Sequence, residues 1–308
     1  MPTSILKKHP ALILLLSAII ISLSFLTIKN KLIKSLDIEI SRELGQEISP
    51  GIYDYGDYTL QVNNLIQTGS FKKKDEILNR YPPVFPVILY SSYSIANYLG
   101  INNRITIQFF TILFNFFSAL ILMKIFLLFD KNSLLALLTG LIFLIHPYTL
   151  QSLTKVMSVS PFMTFFFLSI FLLFKTIKEN TRNNYFPLLF TGLVLGISIL
   201  TRPIAVFVPF IFVFIYLIFL YRKIKYKSLI NSSLILVGTL MIVMPWQLYN
   251  WANDQKILVA ANDVKSIIHG VSFNNSPLKE KIDLNHDVNK LALRLSESHI
   301  HNRSDFFN

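Results

Sequence analysis

The sequence predicts an all-α polytopic membrane protein of about seven transmembrane helices. Three observations carry that prediction. Of the 308 residues, 53% are hydrophobic and only 15% charged, with 27 Phe, proportions outside those of ordinary soluble domains. Apolar runs of spanning or near-spanning length recur along the chain, and lysines and arginines gather at their ends. Helices are the expected form, because lipid offers no partner to an unpaired backbone N–H or C=O.

Taken in order, Lys7 and Lys8 precede the first apolar run, Pro10 to Ile28. No small-residue cleavage site follows it, so it reads as an uncleaved first span. Further runs cover Ile105 to Phe129, Ser133 to Leu150, Val156 to Phe174, Tyr185 to Leu200, Pro203 to Tyr221 and Ser228 to Trp246. At ~1.5 Å rise per residue each crosses, or nearly crosses, a ~30 Å hydrocarbon layer. The stretch from Val84 to Leu99 is apolar too, but its early prolines and Ser91, Ser92, Ser94 and Asn97 predict an interfacial helix rather than a span. Residues 1–252 thus form a transmembrane module with a first loop at 29–104, and 253–308 form a polar tail. An amphipathic stretch near His286 to Ile300 places Val288, Leu291, Ala292 and Leu295 at helical spacing within that tail.

Orientation follows from the short loops. Lys175, Lys178 and Arg182, then Arg222, Lys223, Lys225 and Lys227, fall on the side of Lys7 and Lys8, which is therefore cytoplasmic. The first loop and the tail are then expected outside, as in a bacterial inner (plasma) membrane protein. The formal net charge of +12 is assigned to span ends meeting anionic lipid, not to nucleic acid. With no Cys there is no disulfide framework or thiolate metal site. His269, His286, His299 and His301 match no zinc spacing, and no P-loop, dinucleotide fingerprint or nucleophile elbow is present.

The polar stretch around Asp54 and Asp57 is the candidate chemical centre. An apolar-polar pattern through Leu60, Val62, Leu65 and Ile66 to the Thr68-Gly69 break predicts a short amphipathic helix beginning near Asp57. As N-cap, Asp57 would spend its carboxylate on backbone N–H groups, leaving Asp54 free as a general base. The order D-x-x-x-Y (Asp54 to Tyr58), N-L-I-x-T-G-x-F (Asn64 to Phe71), Y-P-P-x-F-P (Tyr81 to Pro86), G-I-S-I-L-T-R-P (Gly196 to Pro203) and M-P-W-Q-L-Y-N (Met244 to Asn250) resembles the GT-C-fold glycosyltransferases that take sugars from polyprenyl phosphates. Protein mannosyltransferases and the aminoarabinose transferase of lipid A are examples.

The resemblance implies a GT-C-like fold and an inverting membrane glycosyltransferase. Its substrates would be a polyprenyl-phosphate-linked sugar and an acceptor hydroxyl on a lipid, glycan or protein. By position it implies Asp54 as base with Asp57 as the near alternative. Tyr58, Arg80, Tyr81 and Arg202 are implied at the substrate, the two arginines at the donor phosphate. It implies no certain cofactor; a divalent cation is compatible, with no ligand set legible. The chain departs from the family pattern twice. Where the family carries an acid at the entry to its fourth span, residues 156–161 read V-M-S-V-S-P, and Tyr249 stands where an Arg often follows the P-W pair. Two other readings are a transporter or lipid flippase, and a truncated, inactive scaffold. The first wants charge near mid-membrane, whereas Lys124 is the clearest charge within a span and has the stem to snorkel. The second draws on the missing acid and the chain length.

Overall fold

The computed structural model describes residues 10–44, 55–71, 82–153, 157–179, 185–224 and 226–254, and every regular element among them is a helix. In chain order these are α1 (Pro10–Leu44), α2 (Tyr55–Thr68), α3 (Val84–Leu99), α4 (Asn103–Phe129), α5 (Ser133–Ile145), α6 (Pro147–Ser152), α7 (Val159–Glu179), α8 (Tyr185–Ile199), a 3₁₀ turn (Pro203–Ala205), α9 (Val208–Ile224) and α10 (Tyr226–Asp254). Four stretches are long and apolar enough to cross a bilayer: Pro10–Ile28, Asn103–Phe129, Val159–Glu179 and Ser228–Ala252. Ser133–Ile145, Tyr185–Ile199 and Pro203–Phe219 are shorter apolar helical stretches. The chain is an all-α, multi-pass membrane protein, and among the described residues the predicted apolar runs are largely helical.

The helix boundaries differ from the predicted runs for local reasons. α1 continues past Ile28 to Leu44, because no Gly or Pro interrupts the chain before Gly45. The run from Ser133 to Leu150 is two helices, not one. Pro147 has no N–H to offer α5, so His146 takes an extended conformation (φ −60°, ψ 135°) and its Nδ1 accepts from Tyr148 N, starting α6. The run from Pro203 opens with the 3₁₀ turn and becomes α-helical at Val208. α3 is a helix with one face buried (Phe85, Leu89, Ser92, Tyr93, Ala96) and Val87, Tyr90, Ile95 and Tyr98 exposed. It doubles back along α4 through Gly100, whose φ of +65° closes the helix, and Asn102, which caps α4 through Arg104 N.

Two clusters hold the bundle. One joins α7, α8, α9 and α10 through Phe162, Leu173, Leu188, Leu195, Tyr216, Ile235 and Trp246; the other joins α1, α4 and α5 through Leu14, Ala18, Phe116, Ala119 and Leu137. The α8–α10 contact is the closest. Gly192 and Gly196 face α10, Gly238 faces α8, and Thr239 Oγ1 donates to Gly192 O at 3.2 Å. Between α4, α6 and α7 a buried polar network replaces apolar packing. Asn115 Nδ2 donates to Ser152 Oγ (3.3 Å) and Thr149 O (3.4 Å), Ser160 Oγ to Ser152 Oγ (2.9 Å), and Ser118 Oγ lies 2.8 Å from Thr164 Oγ1. Outward-facing Leu16, Ile20, Phe109, Ile142, Phe214 and Met241 are exposed, as lipid contact requires.

Candidate functional site

Chain direction sorts the bundle into two ends. Lys175, Lys178, Asp130 and Lys131 mark one, where the Lys178 ammonium caps α4 at Leu128 O and Lys175 pairs with Glu179 at 3.7 Å. α2, the start of α3, the entry to α7, the end of α8 and the end of α10 meet at the other. That second end collects the residues singled out by the sequence.

α2 begins the construction. It buries Tyr58, Gln61, Val62 and Asn64 and leaves Ile66 about half exposed. The buried face is therefore more polar than the predicted stripe of Leu60, Val62, Leu65 and Ile66, because α2 packs over the mouth of the bundle as well as on apolar α3. The Tyr58 ring meets Phe85 edge to face with centroids 4.8 Å apart, and its hydroxyl donates to Ser158 Oγ at 3.4 Å. Ser158 is one of two serines in the stretch where the resembled family carries an acid. Among the described residues, the buried Asn64 Nδ2 has no hydrogen-bond partner, so this amide can donate to a ligand. Sequence reasoning missed Gln61 and Asn64 as site residues; polar side chains on the buried side of a short helix were the available signal.

α2 ends at Gly69, whose φ of +66° turns the chain and whose N–H reaches Leu65 O at 3.1 Å. Thr68 Oγ1 donates to Asn64 O and accepts from Ser70 N, holding the turn. The turn delivers Ser70 and Phe71 to the end of α10. Ser70 Oγ lies 3.2 Å from Tyr249 OH, and Phe71 meets Trp246 edge to face with centroids 5.5 Å apart. Trp246 stacks on Tyr249 at 5.3 Å and 15°.

The proline motif joins the site through a backbone bond. Val84 N–H, at the start of α3, donates to Leu200 O at 3.2 Å, so an open donor of one helix meets an open acceptor just past the end of another. Pro86 lies in the same first turn and has no N–H to satisfy. Leu200 O is adjacent in the chain to Thr201 and Arg202. Thr201 is buried, its Oγ1 donating to Ile197 O at 2.8 Å. Arg202 is extended (φ −147°, ψ 121°), the conformation the following Pro203 demands, and half-buried. Among the described residues, its guanidinium makes no hydrogen bond or ion pair, and it is a cation held at the motif end by a rigid turn.

The structure thus brings Tyr58 and Arg202 to the same end of the bundle. It corrects the predicted helix start: α2 already runs from Tyr55, so Asp57 lies inside the first turn and is not the N-cap. The argument that capping occupies Asp57 therefore lapses. Asp54, Arg80 and Tyr81 lie outside the described residues, as do the four tail histidines, the amphipathic stretch near 286–300 and the side chain of Asp57. Among the described residues no three His, Asp or Glu side chains stand together as a metal site would need.

Residues 78–257 match the family model described as dolichyl-phosphate-mannose-protein mannosyltransferase. No curated protein and no solved structure matches the chain.

Proposed function

The chain belongs to the dolichyl-phosphate-mannose-protein mannosyltransferase family, a family of membrane glycosyltransferases with polyprenyl-phosphate-sugar donors, and from that premise we propose a specific reaction. The protein transfers the sugar of such a donor to an acceptor hydroxyl at the outer face of the membrane. One observation carries the reading: the residues around Tyr58, Ser70-Phe71, Val84-Phe85, Thr201-Arg202 and Trp246-Tyr249, from five separated motifs, converge on one end of the bundle.

The chemistry is a single displacement. The acceptor oxygen attacks the anomeric carbon and its proton passes to a carboxylate, which we assign, on its position in the family motif alone, to Asp54 with Asp57 as the alternative. The bond from the anomeric carbon to the phosphate oxygen breaks on the opposite side, and the polyprenyl phosphate leaves with the electron pair. The sugar inverts. Arg202, with Arg80, meets the growing negative charge on the phosphate, where a fixed cation in a water-poor setting does most. Tyr58 and Tyr81 line the substrate, and the apolar tail of the donor stays in lipid beside the exposed faces of the spans. A divalent cation, if one is used, would be held by Asp54 and Asp57 and would supply further positive charge for the leaving phosphate.

The test replaces each acid by Asn in the full chain and follows transfer from a polyprenyl-phosphate-linked sugar. Asp54→Asn is expected to lower turnover ~10²-fold or more, the usual cost of losing a general base. A near-normal Asp54→Asn beside an inactive Asp57→Asn moves the role to Asp57. If neither change matters in an active protein, the carboxylate mechanism is wrong.

A further inference from the structure

We infer that Ser70, Phe71 and Tyr249 are positioning residues that hold the acid-bearing helix α2 at a fixed distance from Arg202. The inference rests on the reaction proposed above and adds to it the means by which the loop acid and the phosphate cation are kept in register.

α2 is pinned at both ends, to different walls of the bundle. Near its start, Tyr58 packs on Phe85 of α3 and bonds Ser158 ahead of α7. Beyond its end, Ser70 and Phe71 bond and pack on Tyr249 and Trp246 of α10. At ~1.5 Å per residue the helix spans ~20 Å between these anchors. It therefore bridges the mouth from the α3/α7 side to α10. α10 in turn is packed on α8 through Gly192, Gly196 and Gly238, and α8 leads directly into Thr201-Arg202. One continuous path of contacts runs from α2 to the cation: Ser70-Phe71, Tyr249-Trp246, α10, α8, Arg202.

The details of the α10 anchor suit placement more than simple burial. Phe71 touches both rings of a stacked pair, and the Ser70–Tyr249 bond holds the adjoining turn to the same ring. Gly69 lets the chain turn there because its φ of +66° strains any residue with a side chain; space is not the reason, since nothing lies within 4 Å of where its Cβ would be. The same contact gives Tyr249 a role of its own. At this position the resembled family often carries Arg, and here a phenol hydroxyl at the end of a stacked ring reaches the loop.

The test uses the full chain, whose lack of cysteine allows spin labels at single introduced sites. Labels at Ile66→Cys on α2 and Leu248→Cys on α10, both about half exposed, report the distance between the helices. The proposal expects one narrow distance in the parent, broadened by Phe71→Ala and by Tyr249→Phe. Tyr249→Phe keeps the ring stack and removes only the hydroxyl, so it remains folded. In transfer assays it should lower kcat ~5-fold, the effect of one hydrogen bond, with donor KM within about twofold. Ser70→Ala should act in the same direction, and the double variant should lose less than the sum of the two single changes, because the two residues share one bond. An unbroadened distance in Phe71→Ala overturns the anchoring. Additive losses, or a rise in KM with kcat intact, overturn the positioning role. The distance arm needs no activity, so it decides the anchoring even if the parent transfers no sugar, a result that would instead sink the proposed reaction.

Discussion

Replacing Gly192 by Ala should separate α8 from α10 and displace Arg202. A Cβ built on Gly192 would lie 2.2 Å from Ile235 O and 3.0 Å from both Ile235 C and Thr239 N. These are backbone atoms of the facing helix, and no rotamer change moves them. Ordinary contact needs about 3.5 Å, so the helices must part by about 1 Å. Overpacking of this kind costs about 3 kcal/mol, the upper end of its usual range. The strained Thr239–Gly192 bond adds about 0.6 kcal/mol, a typical value for an interhelical bond in a membrane, while the better helix propensity of Ala returns about 1 kcal/mol. The net is a loss of about 2 to 3 kcal/mol and a fall in Tm of about 5 to 10 °C. A displacement near 1 Å at a reacting centre can cost ~10²-fold, so transfer should fall at least ~10-fold below the melting range. Gly238→Ala, whose Cβ would sit 2.3 Å from Leu189 O, should behave alike. Gly140→Ala is the milder comparison: its nearest contact, at 2.9 Å, is the flexible Leu14 Cδ1, its nearest backbone atom, Ala119 O, is 3.2 Å away, and its cost should stay well below that of Gly192→Ala. The assay is thermal melting of the detergent-purified chain followed by tryptophan fluorescence, alongside transfer rates. If Gly192→Ala and Gly238→Ala melt with the parent and no lower than Gly140→Ala, the close-packed α8–α10 interface is wrong.

Three further expectations follow from separate parts of the structure. Arg202→Ala should raise the donor KM and lower turnover, with partial recovery in Arg202→Lys because a point charge still reaches a phosphate; unchanged kinetics would make this a snorkelling arginine. Asn115→Leu, which removes the donor to Thr149 O and Ser152 Oγ, should lower stability by about 1 kcal/mol in the same melting assay, and an equal or higher Tm would show the network contributes nothing net. A single cysteine at Ser70 should react with an impermeant thiol reagent in intact cells while one at Lys225 stays silent, and the reverse pattern would invert the topology.

The spans were the most legible part of the sequence. Long apolar runs with terminal lysines admit few readings, and α4, α7 and α10 lie where hydropathy puts them. What escaped was set by single residues against their neighbours. Pro147 splits an apolar run that composition reads as continuous, whereas Pro245 lies inside α10 without ending it. Hydropathy sees the same residue type in both places. At the site, the motif order pointed to Tyr58 and Arg202, which lie at the same end of the bundle, and the Pro203 that makes the motif recognisable also fixes the backbone of Arg202. The start of α2 was misplaced by two residues, since an acid before an amphipathic stretch resembles a cap whether or not the helix has already begun. Gln61 and Asn64 stood on the helical face that Tyr58 and Val62 share, but hydropathy alone did not mark them as buried. Their burial follows from what α2 lies over, the mouth of the bundle, and a periodicity argument sees only the helix itself.

The central claim is that this chain cleaves the bond between a sugar and a polyprenyl phosphate. The direct measurement is release of polyprenyl phosphate when the purified full chain, reconstituted in liposomes with a mixed extract of acceptors, is given dolichyl-phosphate mannose or other polyprenyl-phosphate-linked sugars. The account predicts release of polyprenyl phosphate with stoichiometric appearance of sugar on an acceptor, strongly reduced in Arg202→Ala and Asp54→Asn. No release from any donor by a protein that melts cooperatively, or release equal in parent and both variants, would contradict it.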